Sequence, residues 1–213
     1  MEIGQSWRES FLEKLQGAFG GNLLFAGLQG SRARGEAGPQ SDIDLVVVLE
    51  QVEEREISAY RELLASMEGS GLACGFLCGR RELAAWPRYD SLTLLLDTVP
   101  WYGSLQPLLP PFSPQDAEEA VRIAAAGLYH AACHSLLFSP DKAQAAEELR
   151  KPVFFLLRAR LYRDGGRFFQ SRRALLPEAE EEERALLTGG LSGEACLQAV
   201  LRYCSGLLRR APR

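Results

Sequence analysis

Between residues 30 and 49 the chain reads Gly30-Ser31-Arg32-Ala33-Arg34-Gly35-Glu36-Ala37-Gly38-Pro39-Gln40-Ser41-Asp42-Ile43-Asp44 and then Leu45-Val46-Val47-Val48-Leu49. Side chains alternate across an extended strand, so Asp42 and Asp44 leave the same face with Cα atoms roughly 6.6 Å apart. Two carboxylates so placed can share one hard divalent cation or bridge two. Mg²⁺ takes oxygen ligands and keeps coordination positions for phosphate, so an acidic pair at an open strand start suits a nucleotide–metal site. Upstream, Gly30 lets the backbone approach a phosphate closely, Ser31 adds a hydroxyl donor, and Arg32 and Arg34 add charge-assisted donors. The stretch lacks the Gly-Lys-Ser/Thr of a P-loop and the glycine spacing of a dinucleotide fold.

These groups need elements that hold them. The run Leu23–Leu28 is apolar on both sides and too short for a buried helix, which predicts a central strand ending at the Gly-Ser turn. Asp42–Leu49 is the next strand. Ahead of them, Ser6 and Glu9 are spaced as a capping box, with Phe11, Leu12, Leu15 and Phe19 as the apolar face of an opening helix. Residues 51–68 have helical spacing ended by Gly69-Ser70-Gly71, and strands are expected at 72–77 and 92–97. Prolines 107, 110 and 111 stiffen a boundary. Beyond it, Ser113-Pro114 and Ser139-Pro140 open two helices, of which the second should kink or break at Pro152, and further helices are expected at 178–187 and 194–210. The acidic run Glu180–Glu183 reads as a solvated helix start. The expected fold class is α+β, a small mixed-sheet domain over residues 1–110 followed by an all-α helical bundle over 111–213.

Gly30-Ser31-x10-Asp42-x-Asp44 resembles the signature of the nucleotidyltransferase superfamily that includes DNA polymerase beta, in a minimal form similar to kanamycin nucleotidyltransferases, which also join such a domain to a helical bundle. Other segments, among them Cys74–Leu77, Trp86-Pro87 and Leu128–His134, resemble a group of bacterial nucleotidyltransferase-domain proteins. The resemblance implies that Gly30, Ser31, Arg34 and Ser41 hold the nucleotide and that Asp42 and Asp44 ligate Mg²⁺. The implied reaction moves a nucleoside monophosphate, AMP as the expected group, from a nucleoside triphosphate to a small-molecule or protein acceptor, releasing pyrophosphate. Active members place a third carboxylate on the strand after the helix that follows the Asp-x-Asp strand. Here that strand, Leu72-Ala73-Cys74-Gly75-Phe76, has no acid. Asp97, at the end of Leu92–Leu96, is the expected substitute as third metal ligand and catalytic acid. Kanamycin-type enzymes take the acceptor's base from a helical-domain carboxylate. No acid occupies 124–138, so His130, one turn from His134, is expected in that role. Lys151 and Arg158 share a helix face and could clamp phosphate.

The rest of the sequence bounds the answer. With 213 residues, 46% hydrophobic and 9% aromatic, the chain can bury a core, which excludes a disordered or fibrous class. No apolar run reaches the ~20 residues of a bilayer span, so no membrane partner is expected. Five cysteines without a CxxC pair suit reduced thiols and a cytoplasmic setting. The net charge of −4 argues against capture of duplex nucleic acid. The sequence allows a homodimer. Two other readings compete: a nucleotide-binding sensor or regulatory module with no turnover, and an antitoxin-like modifier of a partner protein.

Overall fold

The computed structural model describes residues 4–210, which divide between Pro111 and Phe112 into two compact units. The first contains α1 (Gln5–Phe19), β1 (Leu23–Gln29), α2 (Gly30–Ala33), β2 (Ile43–Leu49), α3 (Glu54–Ala65), β3 (Ala73–Gly79), α4 (Arg80–Ala84), α5 (Arg88–Asp97) and β4 (Val99–Gly103). The sheet order is β3-β2-β1-β4. β1 pairs antiparallel with β2 and β4, and β2 pairs parallel with β3, so the sheet is mixed. β1 is central, as its two-sided apolarity requires.

Alternation along β1 and β2 sorts their side chains onto two faces. Leu28, Ile43, Leu45, Val47 and Leu49 pack with Trp7, Phe11 and Leu15 of α1 and with Leu63 of α3 in one cluster. Burying an aliphatic or aromatic side chain of this kind contributes about 1.5–3 kcal/mol. Phe25, Val46 and Val48 of the opposite face are also almost completely buried, as are Leu83 of α4 and Leu92 of α5 on the crossover from β3 to β4. The two central strands, β1 and β2, are thereby buried on both faces, while Asp42 and Asp44 sit at the start of β2 where the burial stops: Asp42 is exposed and Asp44 half-buried.

Two local expectations give way in this unit. The helix α1 starts one residue before Ser6 with Gly4 as its cap, and no side chain caps it. Residues 92–97 belong to α5, not to a strand; the edge strand of that region is β4, two residues further on. A short apolar run does not distinguish a buried strand from a buried helical turn, and Pro87 at the N-cap favours the helix. Asp97 accordingly ends a helix.

The second unit is helical: α6 (Asp116–Phe138), α7 (Lys142–Gly165), α8 (Arg172–Leu175), α9 (Glu181–Thr188) and α10 (Gly193–Arg210). α6, α7 and α10 pack against one another. The inward stripe of α6 is Ala117, Val121, Ala125, Leu128 and Ala132, at spacings of three and four, and its small residues permit close approach. Asp141, rather than Ser139, caps α7 by accepting from the Gln144 N–H. α7 runs through Pro152 unbroken. Pro152 and Glu148, whose carbonyl loses its helical donor to the proline, are both exposed, so water can satisfy that carbonyl. Glu183 also departs from expectation. It is 2% exposed, and its carboxylate accepts from Arg160 and from the Tyr203 hydroxyl while also bonding the Glu180 N–H in a capping box. Burial, followed by the Glu183 contact, pushes the Tyr203 phenol well above its ordinary range.

Candidate active site

The site begins where β1 ends. Gln29 pairs with Asp44 in the ladder, and the chain then turns at Gly30, whose φ is +76°. A β-carbon at Gly30 would lie 1.8 Å from Oδ2 of Asp44. Glycine is needed here twice over, for its backbone angle and for the space the carboxylate occupies. Asp42 precedes Asp44 by two residues along the same run, on the opposite side from the fully buried Ile43.

The loop between α2 and β2 is tied by its own side chains. Arg32 donates from Nε to the Asp42 carbonyl at 3.0 Å and from Nη2 to the Ser41 carbonyl at 2.6 Å. The Ser41 hydroxyl accepts from the Gly38 N–H at 2.9 Å. The Glu36 N–H donates to the Ser31 carbonyl at 2.8 Å, and the Arg34 N–H to the Gly30 carbonyl at 3.2 Å. The first amides of α2, those of Gly30 and Ser31 among them, have no acceptor within the helix, as at any helix start. Ser31 is half-buried beside them.

Arg34 pairs with two carboxylates, Glu36 and Asp97, both at 3.1 Å. Its side chain is 10% exposed and that of Asp97 5%. On the other flank of Asp44, the ladder sets Cys74 of β3 directly beside it. This is the strand on which the resemblance looks for a third acid, and the position is held by an exposed free thiol. Two residues on, Phe76 lies opposite Val46 and packs edge-to-face on Trp86, with ring centroids 4.6 Å apart. Among the described residues no group of three or more His, Cys, Asp and Glu side chains gathers as a metal cluster. Cys78, further along β3, is buried; burial, and then the charge of Glu82, push its thiol up to about 12.

The remaining candidates lie in the helical unit. His130 and His134 are exposed on α6 with ring centroids 6.3 Å apart, and His134 approaches Phe138 at 5.1 Å. Arg158 cannot clamp a ligand: it is 1% exposed, with its guanidinium among the rings of Phe154, Phe155 and Phe168 at 4.5–5.5 Å. Its spacing from Lys151 gave no warning, because an arginine stacked on aromatics and one facing solvent share the same helical period. The Arg34–Asp97 pair joins residues 63 apart in sequence, and no local pattern announces it.

An acidic pair at a strand start, seated against a glycine turn on a mixed sheet, defines a class, and residues 9–104 match the family model described as nucleotidyltransferase domain. That segment, from within α1 to just past β4, is thus similar to nucleotidyltransferase domains. Over its whole length the chain is similar to the crystal structure of spectinomycin adenyltransferase AAD(9) from Enterococcus faecialis with ATP and spectinomycin. The TM-score is 0.60 at 15% identity, covering 96% of this chain and 99% of that one. At this identity the likeness is one of fold, a small mixed-sheet domain followed by helices. No curated protein sequence matches the chain. Among the described residues no helix is long and apolar enough to cross a membrane.

Proposed function

We propose that the chain is a Mg²⁺-dependent nucleotidyltransferase that moves AMP from ATP to a small-molecule or protein acceptor and releases pyrophosphate. The observation that carries this reading is the seating of the Asp44 carboxylate against Gly30, in the space a β-carbon would fill, with Asp42 on the same side of the strand. The residues fit the cation: both are oxygen donors at the open end of β2, as a hard ion that retains phosphate and water requires. When bound, Mg²⁺ supplies charge neutralisation at the α-phosphate and the leaving pyrophosphate.

The chain's own part is positioning. Asp42 and Asp44 orient the reacting end of the triphosphate over β2, while the Gly30 and Ser31 amides and the Ser31 hydroxyl hold its tail. An acceptor oxygen or nitrogen forms a bond to the α-phosphorus as the bond to the β-phosphate oxygen breaks. The acceptor's proton goes to a base, for which exposed His130 is the candidate. Cytoplasmic residence fits the free thiols.

One observation favours a second reading. Cys74 stands beside Asp44 where a third acid is expected, which suits a nucleotide-binding sensor without turnover, or a module that acts on a partner protein. Calorimetry with Mg·ATP, paired with pyrophosphate release across varied acceptors, separates the readings. Binding with release supports the enzyme, binding without release across the acceptors supports the sensor, and absence of Mg²⁺-dependent binding defeats both.

A further inference from the structure

We infer that Asp97 serves this site by fixing Arg34, and through it the Gly30–Ser31 turn, and not as a third carboxylate on the metal; the inference rests on the nucleotide site proposed above. α2 has only four residues, far too few to hold itself as a helix. Its place is set by three ties. Gly30 at its start abuts the Asp44 carboxylate, Arg32 reaches the Ser41 and Asp42 carbonyls, and Arg34, the C-cap, pairs with Asp97. The Arg34 backbone N–H also returns to the Gly30 carbonyl, so a displacement of Arg34 moves the turn itself.

The anchor at the other end is firm. Thr98, next to Asp97, donates its hydroxyl to the Leu94 carbonyl, and its methyl lies 2.8 Å from where a β-carbon on Gly27 of β1 would be. The end of α5 is thereby locked to the strand that delivers the glycine turn. Both partners are nearly buried, which favours a charge-assisted bond of fixed geometry over a mobile surface pair. Two nitrogens of Arg34 are given to carboxylates, so it is a brace of the cradle more than a free phosphate clamp. Asp97 also belongs to no three-group cluster with Asp42 and Asp44 among the described residues.

The test is a double-mutant cycle on Mg·ATP binding, read by calorimetry at several Mg²⁺ concentrations, with Asp44→Asn as the metal-ligand comparison. Asp97→Asn and Arg34→Gln should each weaken ATP binding about tenfold, the scale of one charge-assisted contact, and the double variant should be no weaker than either single within about twofold. The Mg²⁺ concentration for half-saturation should stay at its wild-type value in all three. A rise in that concentration for Asp97→Asn, like that of Asp44→Asn, would make Asp97 a metal ligand and overturn the inference. Losses that multiply in the double variant, or wild-type ATP affinity in Asp97→Asn, overturn it equally. Should Asp97→Asn not fold, Arg34→Lys replaces the planar fork with a point charge, and wild-type affinity there is the overturning result. A wild-type chain that binds no ATP with Mg²⁺ brings down the nucleotide site itself, an outcome read without any variant.

Discussion

Gly30 and Asp44 exclude each other's growth: the carboxylate of one fills the volume that any side chain on the other would need, with Oδ2 of Asp44 1.8 Å from the nearest such atom. A strand-to-helix turn and a strand start are thus matched as one cradle. Gly30→Ala must either displace Asp44 or abandon φ +76°. The strain of a non-glycine residue there is of order 1–3 kcal/mol. The expected outcome is a folded protein whose Mg·ATP affinity falls at least about tenfold, each tenfold being 1.4 kcal/mol. Circular dichroism and calorimetry check the two halves, and wild-type affinity in Gly30→Ala would contradict the cradle.

Asp42→Asn combined with Asp44→Asn should abolish Mg²⁺-dependent ATP binding. Asp42 is exposed and Asp44 only half-buried, so the fold should survive the change. Thermal melting should shift by no more than a few degrees, the effect of about 1 kcal/mol in a domain of this size. Binding that persists in the double variant would remove the metal reading.

Phe11 of α1 is fully buried in the cluster that supports β1 and β2 from behind. Phe11→Ala should cost about 3–5 kcal/mol of stability, measured by urea unfolding. ATP binding at low temperature should weaken only in proportion to the unfolded fraction, because this face is the one that Asp42 and Asp44 do not occupy.

What the sequence makes legible follows from the range of each interaction. β1, β2 and the Gly-Ser turn are readable because apolar runs and turn residues are local signals, and the spacing of Asp42 and Asp44 carries over directly. Asp97 is different. The run Leu92–Leu96 is apolar at every position but one, which the sequence reading takes for a strand, yet a short apolar run fits a buried helical turn as well, and the chain forms α5 there. Its partner Arg34 is 63 residues away. Register is likewise unreadable: that Cys74, rather than Cys78, lies beside Asp44 depends on the parallel pairing of β2 and β3. Glu183 looked solvated because its neighbours are acids; Arg160 and Tyr203, which bury it, come from two other helices.

Alkaline stability provides a separate check of the buried thiols. Burial, before the charge of Glu82, raises Cys78 from 9.0 to about 12, and burial alone raises Cys204 to about 12. Each group ionises more readily in the unfolded chain, so the stability it contributes is present below pH 9 and is lost as pH rises toward 12. Urea midpoints should therefore decline across that window, and Cys78→Ala with Cys204→Ala should flatten the decline. A midpoint independent of pH there would contradict the burial of both thiols.

Cys74 gives the site a reporter. It is exposed, it faces Asp44 across the β2–β3 ladder, and Cys78 and Cys204 are held protonated in the core. The thiolate is the reactive form, so a disulfide reagent near neutral pH should modify Cys74 well before the buried thiols. Addition of Mg·ATP should then slow that modification several-fold if the triphosphate lies over Asp44, while ATP with a chelator should not. Cys74→Ser removes the fast phase and identifies it. Modification at the same rate with and without Mg·ATP, in a protein shown to bind it, would place the nucleotide elsewhere on the chain.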